Sequence, residues 1–141
     1  MKTELLIELL PWEEARTHAV PIRFAVFVEE QGVPPEIELD EMDEKSLHAV
    51  AFDEGKAVAT GRLLPDGHIG RMAVLKDRRG RGIGGQILGR LVDQARERGD
   101  REVVLSAQMH ATAFYRRHGF VEEGAEYLDA GIPHRQMRRS L

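Results

Sequence analysis

The chain has 141 residues, no cysteine, 42% hydrophobic residues and 20 Lys plus Arg against 24 Asp plus Glu, an ordinary make-up for one folded domain of the usual ~100 to 150 residues. A disulfide framework, a Cys-ligated zinc site and a thiol nucleophile are therefore excluded. No stretch nears the ~18 consecutive apolar residues of a membrane span, and the opening MKTELLIELLPWEEA lacks the apolar run of an export signal. One domain over residues 1–141, cytoplasmic and away from membranes, is the expectation.

The net charge of -4 conceals a division: residues 1–60 carry 14 acids and 5 bases, and residues 61–141 carry 10 acids and 15 bases. Such asymmetry suits an anionic and a cationic ligand meeting on one domain. Solvated faces rich in Arg, which supplies 16 of the 20 bases, would give the same count.

A first strand is expected over Glu4 to Leu9. Residues 12–31 have helical spacing interrupted by Pro21, which predicts two helical pieces with a kink. Gly32, Pro34 and Pro35 stop them. EIELDEMDE (residues 36–44) has six acids in nine residues and reads as a solvated loop or short turn, some of whose acids would attract a cationic amine. A hairpin with arms near 46–53 and 57–64 follows, and the turn Pro65-Asp66-Gly67 leads into the strand HIGRMAVL.

The pattern then changes to a basic glycine-rich segment, KDRRGRGIGG, and a helix whose stripe is Ile83, Ile87, Leu91 and Ala95 beside Leu88 and Val92, closed by Gly99. EVVLSAQ is apolar enough for a central strand, ATAFYRRH is a short helix closed by Gly119, and two last strands fit Phe120 to Tyr127 and His134 to Arg139. This order predicts an α+β fold: a mixed sheet of about seven strands with helices on its faces and one crossover between the fourth and fifth strands.

Gly80-Arg81-Gly82-Ile83-Gly84-Gly85 opens the helix directly. Unpaired N–H groups at a helix N-terminus, glycines that permit φ > 0 and the helix dipole together suit an anion. Glycine in a helix costs about 0.5 to 1 kcal/mol relative to Ala, so this cluster, with Gly89 a turn later, needs a compensating reason; a tight turn accounts for one or two glycines more easily than four. Gly80, Gly82 and Gly85 satisfy the dinucleotide pattern G-x-G-x-x-G. Its context fails, because Lys76 to Arg79 separate the strand from the loop and the next strand ends in Gln108 rather than an acid. A P-loop fails too, because Gln86 and Ile87 stand where Lys and Ser/Thr belong.

Arg79, Gly82 and Gly84 also read R-x-x-G-x-G after the strand MAVL, and this strand-loop-helix resembles the acyl-CoA loop of the GNAT superfamily of N-acyltransferases. AFYRRHGF (113–120) is similar to that family's second signature, a tyrosine on a short helix before Gly-Phe. With VFVEEQG, ELDEMDE, LSAQMHATAFY and DAGIPH, the resemblance extends over nearly the whole chain and to the ElaA/YjcF-like branch. It implies a GNAT-like sheet with splayed fourth and fifth strands, acetyl-CoA as co-substrate, no metal, and an amine acceptor of small-molecule or protein origin. Homodimers are common in the superfamily, although no residue here specifies an interface.

Carried onto this sequence, the resemblance gives the CoA pyrophosphate to the amides of Arg79, Gly80, Arg81, Gly82, Ile83 and Gly84. It gives pantetheine to the main chain of Met72, Ala73 and Val74 as an added strand, with Gln108 standing where many relatives have Asn. Lys76, Arg78, Arg81 and Arg117 are candidates for the remaining phosphate. A backbone N–H near Ala73 would polarise the thioester carbonyl, and Tyr115 occupies the place of the general acid that protonates the sulfur; packing on the core is its other reading.

The base is not legible. Glu29, Glu30, Glu41, Asp43, His48, His110 and His134 are all candidates. Histidine is favoured on pKa, and His134 is singled out because the loop before the last strand borders the acceptor site in relatives. Two other functions remain: a non-catalytic acyl-CoA sensor, and a faint resemblance of Arg23, Phe27, Asp40 and Asp43 to acyl-homoserine-lactone synthases, against which the chain is short and lacks their tryptophan. Nucleic acid is a poor partner, since the basic excess is concentrated at one loop and aromatic residues make up 6%.

Overall fold

The computed structural model describes residues 5–141, so the expected strand start at Glu4 lies outside the described residues. Seven strands form one sheet in the order β1-β2-β3-β4-β5-β7-β6. They are β1 (Leu5–Pro11), β2 (Leu47–Asp53), β3 (Lys56–Leu63), β4 (His68–Val74), β5 (Glu102–Gln108), β6 (Val121–Asp129) and β7 (Ile132–Ser140). Four helices join them: α1 (Trp12–Arg23), α2 (Pro35–Glu38), α3 (Ile83–Glu97) and α4 (Thr112–Arg117). The α+β reading and its strand count are thus as expected.

Every neighbouring pair is antiparallel except β4 and β5, which are parallel and joined through α3. That parallel pair holds only at His68–Val104 and Ile69–Leu105. Beyond Ile69 the two strands part, so the far ends of β4 and β5 bound a wedge in the middle of the sheet.

A β-bulge shapes β4. Thr60 pairs with Ala73 and Arg62 with Gly70, which leaves Arg71 and Met72 opposite the single residue Gly61. Arg71 has φ +49°, the left-handed region that a non-glycine residue enters only when surrounding structure compels it. Gly61 makes the bulge compatible with α3: a Cβ there would lie 3.0 Å from Ile87 Cγ2, 3.0 Å from Met72 Sδ and 3.1 Å from Leu91 Cδ1.

The two faces of the sheet are covered differently. Ile83, Ile87, Leu88, Leu91, Val92 and Ala95 bury the predicted stripe of α3 against one face, together with Leu105 and Met137 and with Phe114 and Tyr115 of α4. On the other face Ile22 and Val26 pack against Ala73. Full burial of each large aliphatic side chain contributes about 1.5 to 3 kcal/mol, so both helical layers are firmly seated on β4.

Two local expectations change. The chain does not break at Pro21: α1 runs through it, and the hydrogen-bond pattern widens only afterwards, in a π-helical segment over Phe24–Glu30. Burial of Ala15, Ala19 and Ile22 holds the helix on the sheet across the missing proline donor. The last hairpin turns at Ala130-Gly131, where φ is +52° and +76°. The last strand therefore begins two residues earlier than expected, and His134, its expected first residue, is the third of β7 and lies opposite Gln108.

The acidic segment differs most. Pro35–Glu38 is a helical turn, and Glu38 and Asp43 are 2% and 1% exposed. What composition suggests is solvated loop is in part a buried ionic cluster, because three arginines from other elements converge on it. Arg23 Nε donates to Glu38 Oε1 at 2.8 Å and Arg23 Nη1 to Asp43 Oδ1 at 2.7 Å, while Arg62 Nη1 donates to Asp40 Oδ1 at 2.7 Å and Asp43 Oδ1 at 2.8 Å. Arg71 Nε reaches the Glu38 carbonyl oxygen at 3.2 Å, and Arg71 Nη2 reaches Asp40 Oδ2 at 3.3 Å.

Candidate active site

The wedge between β4 and β5 opens into a cavity of about 750 Å³ whose walls come from the π-helical segment, α2, β4, β5, α4 and the β6–β7 hairpin. At one end lies the glycine loop. Gly80 and Gly82 have φ +81° and +79°, and Gly82 is the N-cap of α3. The first loop or helix amide beyond Arg79 to find an acceptor is that of Gln86, which donates to Gly82 O at 3.2 Å. The amides of Gly80, Arg81, Gly82, Ile83, Gly84 and Gly85 thus donate to no acceptor among the described residues. Six consecutive free donors at a helix N-terminus form an anion cradle.

Gly85 serves packing. A Cβ at Gly85 would come within 3.0 Å of His118 Cε1, so close contact between α3 and α4 accounts for that glycine. Nothing lies within 4 Å of a Cβ at Gly89, and the structure gives no reason for that residue.

Main-chain phase along β4 decides which groups face the wedge. Leu75 N–H donates to Val58 O at 2.9 Å toward β3, so the pairing of Ala73 with Thr60 is in the same phase. Strand alternation then turns the N–H and C=O of Val74 outward to the wedge and those of Ala73 inward to β3. Ala73, the expected donor to the thioester, lines the cavity through its side of the strand but spends its main chain on the sheet. Arg79 Nε donates to Val74 O at 3.0 Å, and its guanidinium pairs with Glu30 at 2.9 Å. Glu30 is accordingly paired rather than available as a base.

Tyr115 lines the cavity from α4, with ring centroids 5.1 Å from Phe114 and 6.0 Å from Phe120. Burial pushes its phenol up to about 12, so it stays protonated through the neutral range. Its ring packs on the core, and the residue forms part of the cavity wall.

His134 is 8% exposed and also lines the cavity. Its Nδ1–H donates to Ile132 O at 2.6 Å, which fixes the ring and leaves Nε2 as an acceptor. Tyr127 stacks on it at 6.1 Å between centroids, and the Tyr127 hydroxyl bonds Ser106.

Gln108 Nε2 donates to Gln31 Oε1 at 2.8 Å, and His110 Nε2 bonds Gln108 Oε1 at 2.6 Å. This polar bridge spans the wedge between the π-helical segment and β5.

The structure does not assemble every expected residue. Asp43 is held by two arginines. Burial disfavours its charge, but the Arg23 hydrogen bond and charge outweigh this and hold its carboxyl below the ordinary range. His48, 1% exposed, bonds the Asp43 carbonyl at 2.8 Å and stacks near Trp12 at 4.8 Å, away from the cavity, and burial lowers its pKa. Glu29 and Glu41 are exposed outside the cavity wall. Arg78 Nε is 3.0 Å from Asp53 Oδ2 and braces the loop rather than reaching outward, with Arg81 Nη1 3.9 Å from the same oxygen. Lys76 and Arg117 are exposed and outside the cavity lining.

Glu38, one of the acids of residues 36–44 expected to attract an amine, and Arg71, which is not among the candidates, both stand in the cavity wall. Only the register bulge and the fold of α2 bring them to the cavity, and no spacing signals that.

Residues 14–141 match the family model described as an acetyltransferase (GNAT) domain. The chain belongs to the GNAT acetyltransferase family. This GNAT is 43% identical over 131 residues to the uncharacterized N-acetyltransferase YjcF of Bacillus subtilis, covering 90% of this chain and 94% of that protein. Among solved structures it resembles an acyl-CoA N-acyltransferase from Pseudomonas aeruginosa, at 33% identity and TM-score 0.83 with 99% and 100% of the two chains covered. Escherichia coli ElaA superposes with TM-score 0.86 at 28% identity, covering 96% and 99%. The ElaA/YjcF-like resemblance is thereby confirmed, and the GNAT is an acyltransferase whose co-substrate class is acyl-CoA.

Proposed function

We propose that the protein transfers an acetyl group directly from acetyl-CoA to a primary amine. The observation that carries this reading is the cradle of six free amides, Gly80 to Gly85, at the end of a wedge that also receives Tyr115. The cradle holds the pyrophosphate, with Arg79 and Arg81 beside it, and pantetheine lies along the outward main chain of Met72 and Val74. Gln108 exchanges its bond to Gln31 for one to the pantetheine amides.

An ammonium acceptor loses a proton to His134 Nε2, and its nitrogen then attacks the thioester carbon. Outward N–H groups of β4 stabilise the carbonyl oxygen as negative charge develops there. The C–S bond breaks with its electron pair on sulfur, which takes the Tyr115 proton; the nitrogen's second proton returns to the Tyr115 phenolate, and His134 passes the first proton to solvent. One proton per turnover is released.

Thiol release from acetyl-CoA over an amine panel tests the reading, with calorimetric acetyl-CoA binding as the companion measurement. Release above the rate without amine supports it; CoA binding without turnover on any amine would assign the protein to the acyl-CoA sensors instead. Of the four residues behind the lactone-synthase reading, Arg23, Asp40 and Asp43 are bound to one another in the ionic cluster and only Phe27 lines the cavity, which does not favour that reading.

A further inference from the structure

Two charged side chains of the cavity wall are each half-used by the fold. Glu38 is 2% exposed, and its Oε1 takes the Arg23 bond. Its Oε2 accepts no hydrogen bond among the described residues, yet it is not sealed: the sealed, unpartnered polar atoms are Asp53 Oδ1 and Arg62 Nε. Arg71 is comparable. Nε and Nη2 are engaged by Glu38 O and Asp40 Oδ2, while Nη1 donates to nothing described and is likewise unsealed. Both residues line the cavity, and they adjoin one another, with Arg71 Nε 3.5 Å from Glu38 Oε1.

The backbone shows that this placement is enforced. Arg71 takes φ +49° at the bulge, and bulges re-aim side chains beside functional sites. Both side chains line the same cavity, and each keeps one polar atom, Glu38 Oε2 and Arg71 Nη1, without a partner among the described residues. On adjoining side chains they offer an acceptor for an ammonium group and a planar donor for a carboxylate, the two charges that a small zwitterion carries.

We infer that the acceptor is a free α-amino acid: Arg71 Nη1 holds its carboxylate and Glu38 Oε2 its ammonium group, and the product is an N-acyl amino acid. The inference rests on the acyl-transfer reading above and narrows its acceptor. Arg71 and Glu38 are binding groups here, and the proton still leaves to His134. Peptide N-termini and simple amines lack the carboxylate and leave Arg71 Nη1 unused.

The test compares kcat/KM by thiol release for free amino acids, the matching amino-acid amides and simple amines, all on the wild-type protein. The free acids are expected to be used roughly 10- to 100-fold better than their amides, the range of one charged hydrogen bond. Arg71→Met should remove that preference by raising KM for the acid far more than for the amide, and Arg71→Lys should restore part of it. Equal use of acids and amides by the wild type overturns the inference while leaving acyl transfer intact. Absence of thiol release with every amine, despite CoA binding, overturns the transfer reading as well. Because the first comparison needs no substitution, a poorly folding variant leaves it decisive.

Discussion

Arg23 Nη1 lies 2.7 Å from Asp43 Oδ1, and both side chains are 1% exposed. The pair ties the end of α1 to the segment after α2, and Arg23 also sits 5.5 Å from the centroid of Trp12. Removing one partner of a buried pair leaves the other charged and unsatisfied, at about 3 to 5 kcal/mol. Asp43→Asn is expected to lower the urea unfolding free energy at pH 7 by about that amount.

Glu38 behaves differently in the same cluster. Burial pushes its carboxyl up despite Arg23 and Arg71, whereas Asp43 is held down. A lowered folded pKa gives stability that is present above the ordinary value of 3.8 and is lost as pH falls through the folded value. A raised one gives stability that is present below 4.5 and is lost as pH rises through the folded value. At neutral pH Glu38→Gln should therefore destabilise less than Asp43→Asn, and it should abolish the decline that follows Glu38 ionisation. Urea midpoints of both variants across the pH range check this.

Tyr115 and Tyr127 are the only tyrosines in the chain. Ultraviolet titration should show a phenol ionising near 12, and Tyr115→Phe should abolish that step. If the phenol protonates sulfur, the same substitution lowers kcat by about 10²-fold, toward the lower end for general acids, with acetyl-CoA affinity retained. An unchanged kcat would reduce Tyr115 to a packing residue.

Gly61 and Gly89 make an opposed pair. Gly61→Ala forces α3 away from the bulge, and overpacking of this kind costs about 1 to 3 kcal/mol. Gly89→Ala meets nothing within 4 Å inside a helix and should stabilise by about 0.5 to 1 kcal/mol. Thermal unfolding of the two variants reads opposite signs.

Glu30 neutralises Arg79 at 2.9 Å beside the anion cradle. Glu30→Gln frees that guanidinium for phosphate, so acetyl-CoA should bind several-fold more tightly, and the gain should shrink with salt because the pair is exposed. Calorimetry at two ionic strengths measures both effects.

The local chemistry of the CoA end was legible in the sequence. Glycines with φ > 0 at 80 and 82, the apolar stripe of α3 and the strand before it are encoded in neighbouring residues, so residue type and spacing determined the loop, the seven strands and the family. The acceptor end was not legible, because its geometry arises between distant segments. Asp43 looks like one of six solvated acids until Arg23 and Arg62, 20 and 19 residues away, enclose it. Arg71 looks like a strand residue until the bulge opposite Gly61 turns it toward Glu38. Short-range propensity fixes which groups a helix start or a strand can offer, whereas burial and charge pairing depend on which elements the sheet register brings together. Only the tertiary structure decided which acids are spent on the fold and which face the cavity.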